Sequence, residues 1–507
     1  MISCPHALAS EAGADVLRAG GSAVDAAIAA AATLGVVYPH MCGLGGDAFW
    51  LIHDAAARKV SYLDGGGRAA ASATLDRVKE IPFRGLVPAT LTTPGAVASF
   101  CEAHARFGRL PLARCLEAAI HYARDGYPVT ARLSRWIAET AADLAQDPAS
   151  AALFPAGKSR LANPALAHTL EAIAADGRAG FYEGRVAAGL AGLGGFFTER
   201  DLAAQRAYWG EPIRGTYRGV TLYETPPPTQ GLAVLEMLNL IEPLELGPYQ
   251  GPDHVHLLVQ AKQVAYNDRD HWLADPRFAE VPVELLISKS YADERRRLMD
   301  PTRALPWDKV PSYGSLAGDT VNVAVVDRDG NAVSLIFSLY GVFGACITSA
   351  KTGVVLQNRG AYFSLDPKHA NRLEPGKVPL HTLIASLAFR EDRLWAVLGC
   401  MGADGQPQIH LQTYVAMIDY GRGIQQALEA PRWLSGRFAL GEARDTLHIE
   451  ARYPRATIDE LERRGHLVDR WGDWNELAGH ANGITIDENG VREGGSDPRS
   501  DGAALTA

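Results

Sequence analysis

The spacing of apolar residues near the start of the chain predicts two helices followed by two strands. Residues 7–18 place apolar side chains at helical intervals, and the glycine pair at 20–21 is typical of a helix end. An alanine-rich second helix is predicted over 23–34. Short runs of β-forming residues then predict strands over 48–53 and 59–63. The chain therefore opens with helices and strands that can cover one another.

From residue 93 to about residue 207, the apolar spacing predicts a mostly helical chain. A loop at 224–231 contains three consecutive prolines, which fix φ and favour an extended scaffold. A polar stretch punctuated by prolines, 301–318, is predicted to be exposed. Four amphipathic or apolar windows predict packing helices: 110–125, 133–144, 231–240 and 252–270.

Two β-rich runs, 318–326 and 331–339, flank an Asp-Gly turn and predict a hairpin of buried strands. Thr320 then stands at the start of a buried strand. A threonine is a nucleophile when an N-terminal amine serves as its base. In mid-chain, that amine requires cleavage of the Asp319–Thr320 bond. An ordinary turn is the other explanation for these residues.

The second half of the chain is predicted to be rich in strands. Strands dominate to about residue 363, a turn-rich stretch covers 366–379, and helices follow at 410–417 and 423–430. Two more strands are predicted at 383–389 and 394–398. Strand layers with helices on each side indicate an α/β fold, a four-layer αββα sandwich.

Composition excludes several classes of protein. Of the 507 residues, 47% are hydrophobic and 21% charged, which is ordinary for a soluble globular protein. The net charge of −9 disfavours a nucleic-acid partner. No apolar run is long enough to cross a membrane, and the first residues lack the pattern of a secretory signal. A cytoplasmic location is therefore expected.

Neither metal nor organic cofactor is expected. The six cysteines lie far apart without Cys-x-x-Cys spacing, so they are interpreted as mostly buried thiols, not as disulfides or zinc ligands. The histidines also lack a metal-binding spacing. The glycines at 43–46 precede a strand instead of following one, which disfavours a dinucleotide site.

Four separate stretches resemble the γ-glutamyltranspeptidase family: 319–334 around Thr320, the glycine-containing segments 20–27 and 43–47, and 496–502. Together the similarity spans nearly the whole chain. It implies an N-terminal nucleophile hydrolase that cuts itself into a large chain, 1–319, and a small chain, 320–507. These two chains would remain one intertwined αββα domain, a heterodimer that can pair again.

The resemblance also implies catalytic roles. Thr320 becomes the nucleophile, and its freed amine becomes the base. Gly402 and Ala403 fall on the family's oxyanion-binding loop, and Ser338 matches a hydroxyl near the nucleophile's amine. Asn322 replaces a family histidine two residues after the nucleophile and is placed with the catalytic residues.

The substrate pocket departs from the transpeptidase pattern. Arg359 and Tyr362 occupy positions where transpeptidases carry an amide and an aspartate that binds the substrate's ammonium group. A pocket that loses this carboxylate and gains an arginine favours a small carboxylate. The resemblance places six residues against the substrate: Arg68, Tyr340, Arg359, Tyr362, His381 and Thr382.

Short segments at 38–41, 356–360, 363–367 and 379–384 look most like the oxamate amidohydrolase branch. The implied reaction hydrolyses oxamate to oxalate and ammonia. Three alternatives stay open. The first is a γ-glutamyl hydrolase or transpeptidase that passes the acyl group to water or an amine. The second is a general acylase, and the third is a metabolite-binding relative without activity.

Overall fold

A computed structural model describes residues 1–85, 87–193, 195–305, 319–436 and 445–507. Most of the polar stretch predicted over 301–318 therefore lies outside the described residues, and its exposure stays a prediction.

Two antiparallel sheets form the centre of the molecule. The order of strands in the first sheet is β18 (Ala503–Leu505), β1 (Ile2–Cys4), β9 (Asp319–Val326), β10 (Ala332–Tyr340), β2 (Asp47–Asp54), β3 (Lys59–Gly65) and β6 (Tyr208–Gly210). The order in the second is β17 (Arg492–Ser496), β16 (Ala481–Ile486), β12 (Arg393–Cys400), β11 (Ala385–Arg390), β8 (Val220–Glu224) and β7 (Ile213–Tyr217).

Two smaller sheets lie outside this pair. One combines β13 (Trp433–Ser435), β14 (Thr446–Glu450) and β15 (Leu467–Trp471), and the other pairs β4 (Tyr127–Pro128) with β5 (Arg160–Leu161). In the first of them, β14 and β15 run parallel.

Helices from the first part of the chain lie on the outer side of the first sheet, with α2 against β9 and β10. Every residue of α2 is buried, and Ser22 and Asp25 close its N-terminus as a capping box. This group comprises α1 (Ala7–Arg18), α2 (Ala23–Val37), α3 (Ala96–Phe107), α4 (Leu112–Asp125), α5 (Ala131–Glu139), α6 (Ala141–Leu144), α7 (Pro148–Leu153), α8 (Pro164–Asp176), α9 (Ala179–Tyr182), α10 (Gly184–Ala191) and α11 (Glu199–Ala204).

The remaining helices are associated with the second sheet, with α12 against β7 and β8 and α16 against β12. They are α12 (Gly231–Ile241), α13 (Pro252–Trp272), α14 (Val283–Leu286), α15 (Lys289–Arg295), α16 (Gln406–Ile418), α17 (Ile424–Glu429) and α18 (Arg455–Arg463).

The space between the two sheets is filled by side chains that alternate along the strands. Phe49 and Leu51 from β2, Ile336 from β10, and Leu387 and Val397 from β11 and β12 belong to one buried cluster. Because both sheets bury this face and cover the other with helices, the predicted four-layer αββα sandwich is confirmed.

Each large sheet takes strands from both sides of the Asp319–Thr320 bond. β9 pairs with β1 on one edge and β10 on the other, and β10 pairs with β2. In the second sheet β11 pairs with β8. A cut at this bond would therefore leave two chains whose hydrogen-bonded ladders hold them together.

Most predicted elements are present, with shifted ends. α1 has the predicted bounds, whereas α2 continues to Val37 and the window 133–144 is divided between α5 and α6 at Thr140. The prediction that strands dominate to residue 363 is wrong. β10 ends at Tyr340, whose φ of 78° leaves the strand conformation, and the next strand begins only at Ala385.

Candidate active site

Thr320 lies at the start of β9, with 1% of its surface exposed. Its hydroxyl donates a hydrogen bond to the Ser338 hydroxyl on β10 at 3.3 Å and accepts one from the Gln406 side-chain amide at 3.3 Å. Ser338 Oγ also accepts from the Tyr340 backbone N–H at 2.8 Å. In this uncut chain the Thr320 nitrogen is a peptide amide, which stands in for the α-amine that cleavage would free. The Ser338 hydroxyl therefore contacts the Thr320 hydroxyl, and its expected place near the nucleophile's amine stays a prediction.

The loop after β12 carries two residues in the left-handed region. Gly402 has a φ of 147° and Ala403 a φ of 45°. A Cβ at position 402 would approach Ile409 Cδ1 to 2.7 Å, so a glycine is needed there. These residues open a short 3₁₀ helix, whose first N–H groups have no partner within the helix.

Arg359 is fully buried beside two tyrosines. Its Nη1 donates to Thr382 Oγ1 at 3.0 Å, whereas Nε and Nη2 have no hydrogen-bond partner among the described residues. The guanidinium carbon lies 4.4 Å from the ring centroid of Tyr340 and 5.6 Å from that of Tyr362. Burial lowers the pKa of Arg359, but an arginine remains charged. Arg359 is therefore a buried cation whose Nε and Nη2 donors are not used by the described residues.

Tyr362 is hydrogen-bonded to an acid, Asp404, that was not predicted from the sequence. Its hydroxyl donates to Asp404 Oδ2 at 2.6 Å, and burial raises the pKa of Tyr362 well above its usual value. The other Asp404 oxygen accepts from Arg269 Nη1 at 2.7 Å. Arg269 Nη1 also donates to Gln230 Oε1 at 2.7 Å. The Asp404 carboxylate is thus already paired with a cation and a phenol.

A second buried acid, Asp47, lies next to His381. Asp47 Oδ2 lies 3.2 Å from His381 Nε2, while Oδ1 accepts from the Gly67 N–H at 2.7 Å and the Gln357 amide at 3.0 Å. Burial raises the pKa of Asp47 to about 7, against the opposing charge of Arg359. Burial, with a smaller effect of Arg359, holds the pKa of His381 well below its usual value. His381 is therefore neutral, and Asp47 changes charge near neutral pH.

The family model of γ-glutamyltranspeptidase matches residues 9–507 of this chain. The chain belongs to the γ-glutamyltranspeptidase family.

Similar proteins span nearly the same length. A glutathione hydrolase-like YwrD proenzyme of Bacillus subtilis is 40% identical over 100% of this chain and 98% of its own. An oxamate amidohydrolase proenzyme of Klebsiella pneumoniae is also 40% identical, over 99% of this chain and 98% of its own. The crystal structure of a cephalosporin acylase from Bacillus halodurans superposes with a TM-score of 0.92 and 36% identity, covering 100% of this chain and 95% of that one.

These similarities confirm the N-terminal nucleophile hydrolase fold and the amide-bond hydrolase class. This family member is a self-processing amidohydrolase. Its six cysteines carry free thiols, as the sequence predicted. No helix in the described part of the chain is long and apolar enough to cross a membrane.

Arg68 lies apart from the Arg359 group in this family member. Its Nη1 donates to the Gly376 carbonyl at 3.4 Å, and its guanidinium carbon lies 4.5 Å from the Tyr208 ring centroid. Among the described contacts, none joins its guanidinium to Thr320 or Arg359. Its predicted role in holding the substrate stays a prediction.

The described hydrogen bonds of the Asn322 side chain do not reach Thr320. The Asn322 side-chain amide donates to Ser334 Oγ at 3.2 Å and to the Leu335 carbonyl at 3.1 Å. A Cβ on Gly399 of the opposite sheet would come within 2.1 Å of this amide. The Asn322 side chain therefore occupies the narrow space between the two sheets, two residues after Thr320 on β9.

Sequence reasoning missed Gln406, Asp404, Gln230, Arg269 and Asp47. The signal for Asp404 and Gln406 was their position in and just after the loop that carries Gly402 and Ala403. Gln230 precedes the first residue of α12, and Arg269 lies in α13. Both are far in sequence from Asp404 and Gln406. Gln230 Nε2 donates to the carbonyls of Thr382 and Ala403, both at 2.8 Å, and so joins the substrate side of the site to the oxyanion loop.

One group of described residues has the spacing of metal ligands: Asp25, His104 and Cys115, whose ligand atoms lie within 4.8 Å of one another. Protein groups already occupy these atoms. Asp25 Oδ2 accepts from three backbone N–H groups, including that of Arg109 at 2.9 Å, and His104 Nε2 lies 2.7 Å from the Leu110 carbonyl. The carboxylate therefore organises the turn before α4.

Proposed function

We propose that Thr320 is the nucleophile and that the chain cuts itself at the Asp319–Thr320 bond. The Thr320 hydroxyl attacks the Asp319 carbonyl carbon, the peptide C–N bond breaks, and the acyl group becomes an ester on Oγ1 while the nitrogen becomes a free amine. Water then cleaves this ester. Residues 1–319 and 320–507 stay together because strands from both chains pair with one another within each large sheet.

The same hydroxyl then attacks the substrate amide. The α-amine of Thr320 titrates near pH 8 in its ordinary form and accepts the hydroxyl proton. The backbone N–H groups of Gly402 and Ala403 stabilise the oxyanion. When the tetrahedral intermediate collapses, the amine returns the proton to the leaving nitrogen, and water releases the acyl group.

We propose a small amide that carries a carboxylate, such as oxamate, as the substrate. The observation that supports this most directly is Arg359, which is fully buried and keeps Nε and Nη2 without a partner among the described residues. A guanidinium fork matches a carboxylate with two parallel hydrogen bonds. The similarity to the Klebsiella pneumoniae oxamate amidohydrolase proenzyme agrees with this choice.

The second candidate is hydrolysis or transfer of γ-glutamyl groups. It is favoured by the equal identity to the glutathione hydrolase-like proenzyme of Bacillus subtilis. A γ-glutamyl head carries an α-ammonium group that needs a carboxylate partner, however. Asp404, which would supply one, already binds Arg269 and Tyr362.

The test uses one preparation of cut enzyme, with both chains verified on a gel and by the mass of the new N-terminus. It is incubated with oxamate and, separately, with a γ-glutamyl anilide, and released ammonia and aniline are measured. Ammonia from oxamate alone supports the proposal. Aniline release alone supports the second candidate and refutes the role given to Arg359. Pairing of two heterodimers, also proposed, is measured by light scattering.

A further inference from the structure

Two side chains, Ser338 and Gln406, hold the hydroxyl of Thr320. Gln406 is the first residue of α16 and directly follows the oxyanion loop; it is fully buried. Its Nε2 lies 3.3 Å from Thr320 Oγ1. We propose that Gln406 is a positioning residue for the nucleophile, an inference that rests on the proposed role of Thr320.

The direction of the Gln406 amide is fixed by the backbone. The Ile384 N–H donates to Gln406 Oε1 at 3.0 Å, so the oxygen must face Ile384 and the NH₂ group must face Thr320. An amide NH₂ group can only donate. Gln406 therefore presents a donor to Thr320 Oγ1 and no acceptor.

This arrangement determines where the Thr320 proton points. Since Oγ1 accepts from Gln406, its own proton is available to the Ser338 hydroxyl at 3.3 Å. Ser338 lies on the neighbouring strand, β10. The Gln406 donor also stabilises the negative charge that grows on Oγ1 as this proton leaves, because a hydrogen bond to a charged acceptor is stronger than one to a neutral acceptor.

Gln406 also couples the nucleophile to the oxyanion donors. The loop that carries Gly402 and Ala403 closes with a hydrogen bond from the Gly405 N–H to the Gly402 carbonyl at 2.6 Å, and Gln406 begins immediately after it. The donors for the oxyanion and for the attacking oxygen therefore belong to one short, buried segment.

The test replaces Gln406 by Glu and by Leu. In Gln406→Glu, one oxygen still accepts from Ile384, but the ionised side chain has no donor for Thr320. We expect kcat to fall roughly 10- to 100-fold with little change in KM. A buried glutamic acid titrates above its ordinary range, so acidification should restore the donor and recover part of kcat relative to the unmodified enzyme. Gln406→Leu should stay impaired at every pH.

Gln408→Glu is the matched control. Gln408 is buried on the same helix, donates to the Ser435 carbonyl at 3.1 Å and accepts from its N–H at 2.8 Å, without a described contact to Thr320. Rates are measured per cut molecule with oxamate or a γ-glutamyl anilide, whichever the unmodified enzyme turns over. The rate of self-cleavage, followed on gels across pH, is a second readout that needs no substrate and serves if a variant is cut slowly.

An unchanged kcat and self-cleavage rate in both Gln406→Glu and Gln406→Leu would overturn the inference, as would an equal loss in Gln408→Glu or a loss in Gln406→Glu that acid does not relieve. Failure of the proposed function is separately visible. If Thr320→Ala is still cut and active, the nucleophile assignment is wrong. If Thr320→Ala is inert while both Gln406 variants are normal, only the positioning role is wrong.

Discussion

Replacement of Arg359 by methionine tests the choice of substrate most directly. Methionine keeps much of the unbranched length of arginine but removes the charge and all donors. The Arg359 guanidinium is fully buried, touches the faces of Tyr340 and Tyr362, and makes one described side-chain hydrogen bond, to Thr382. Its removal therefore breaks few contacts within the protein.

The expected loss in activity is large because the substrate carboxylate would be left buried without its cation. Truncating one partner of a buried, hydrogen-bonded charge pair costs about 2–5 kcal/mol, which is about 30- to 5,000-fold in kcat/KM. Folding stability should change far less. A buried guanidinium carries a desolvation cost, and replacement of buried charges by apolar groups is often neutral or stabilising.

The assay compares oxamate with oxamide, in which a neutral amide replaces the carboxylate. Arg359→Met should lose activity on oxamate and keep its activity on oxamide. Arg390→Met is the matched control, because Arg390 also lies over an aromatic ring, that of Trp395 at 4.0 Å, but at the far end of β11. Arg68→Met tests the predicted role of Arg68. An equal loss on both substrates, or no loss on oxamate, would refute the carboxylate assignment of Arg359.

Three further outcomes are expected. Thr320→Ala should remain one full-length, inactive chain on a gel; efficient cutting would contradict the nucleophile assignment. Asp47, whose pKa burial raises to about 7, gains a negative charge near Arg359 as pH rises, so KM for an anionic amide should increase through that pH. Asp47→Asn should flatten this increase, and an unchanged pH profile would contradict it. Burial lowers the pKa of His466 from 6.5 to about 3, so below pH 6.5 only the unfolded chain takes up its proton, and stability falls with acid. In denaturant titrations His466→Asn should reduce this dependence by up to about 1.4 kcal/mol per pH unit, and an equal slope would contradict it.

The sequence predicted the fold well because the helices and strands bury one face or more. Strict apolar spacing located α1, and alternation around the Asp-Gly turn located β9 and β10. The prediction failed between residues 341 and 363, where buried residues are abundant but the backbone is irregular. There the left-handed φ values of Tyr340 and Phe343 end the strand, and neither residue type signals such a conformation.

The site was predictable only where residues follow a local pattern. Thr320, Ser338 and the Gly402 loop could be placed through their neighbours in sequence. Arg269 and Gln230 could not, since they reach the site from separate helices through single side-chain hydrogen bonds. Nothing in the local sequence distinguishes such residues from ordinary polar positions on a helix.

The pairing of acids and cations explains why this pocket should select an anion. Two carboxylates, Asp404 and Asp47, lie near Arg359. Among the described contacts, neither accepts a hydrogen bond from its guanidinium. Asp404 is taken by Arg269 and Tyr362, and Asp47 binds the Gly67 N–H and has its pKa raised towards neutrality. The cost of burying Arg359 is therefore only partly offset within the protein. In the proposed complex a substrate carboxylate would offset the rest, whereas an ammonium group would meet a cation, so the proposal gives the placement of Asp404 a part in the choice of head group.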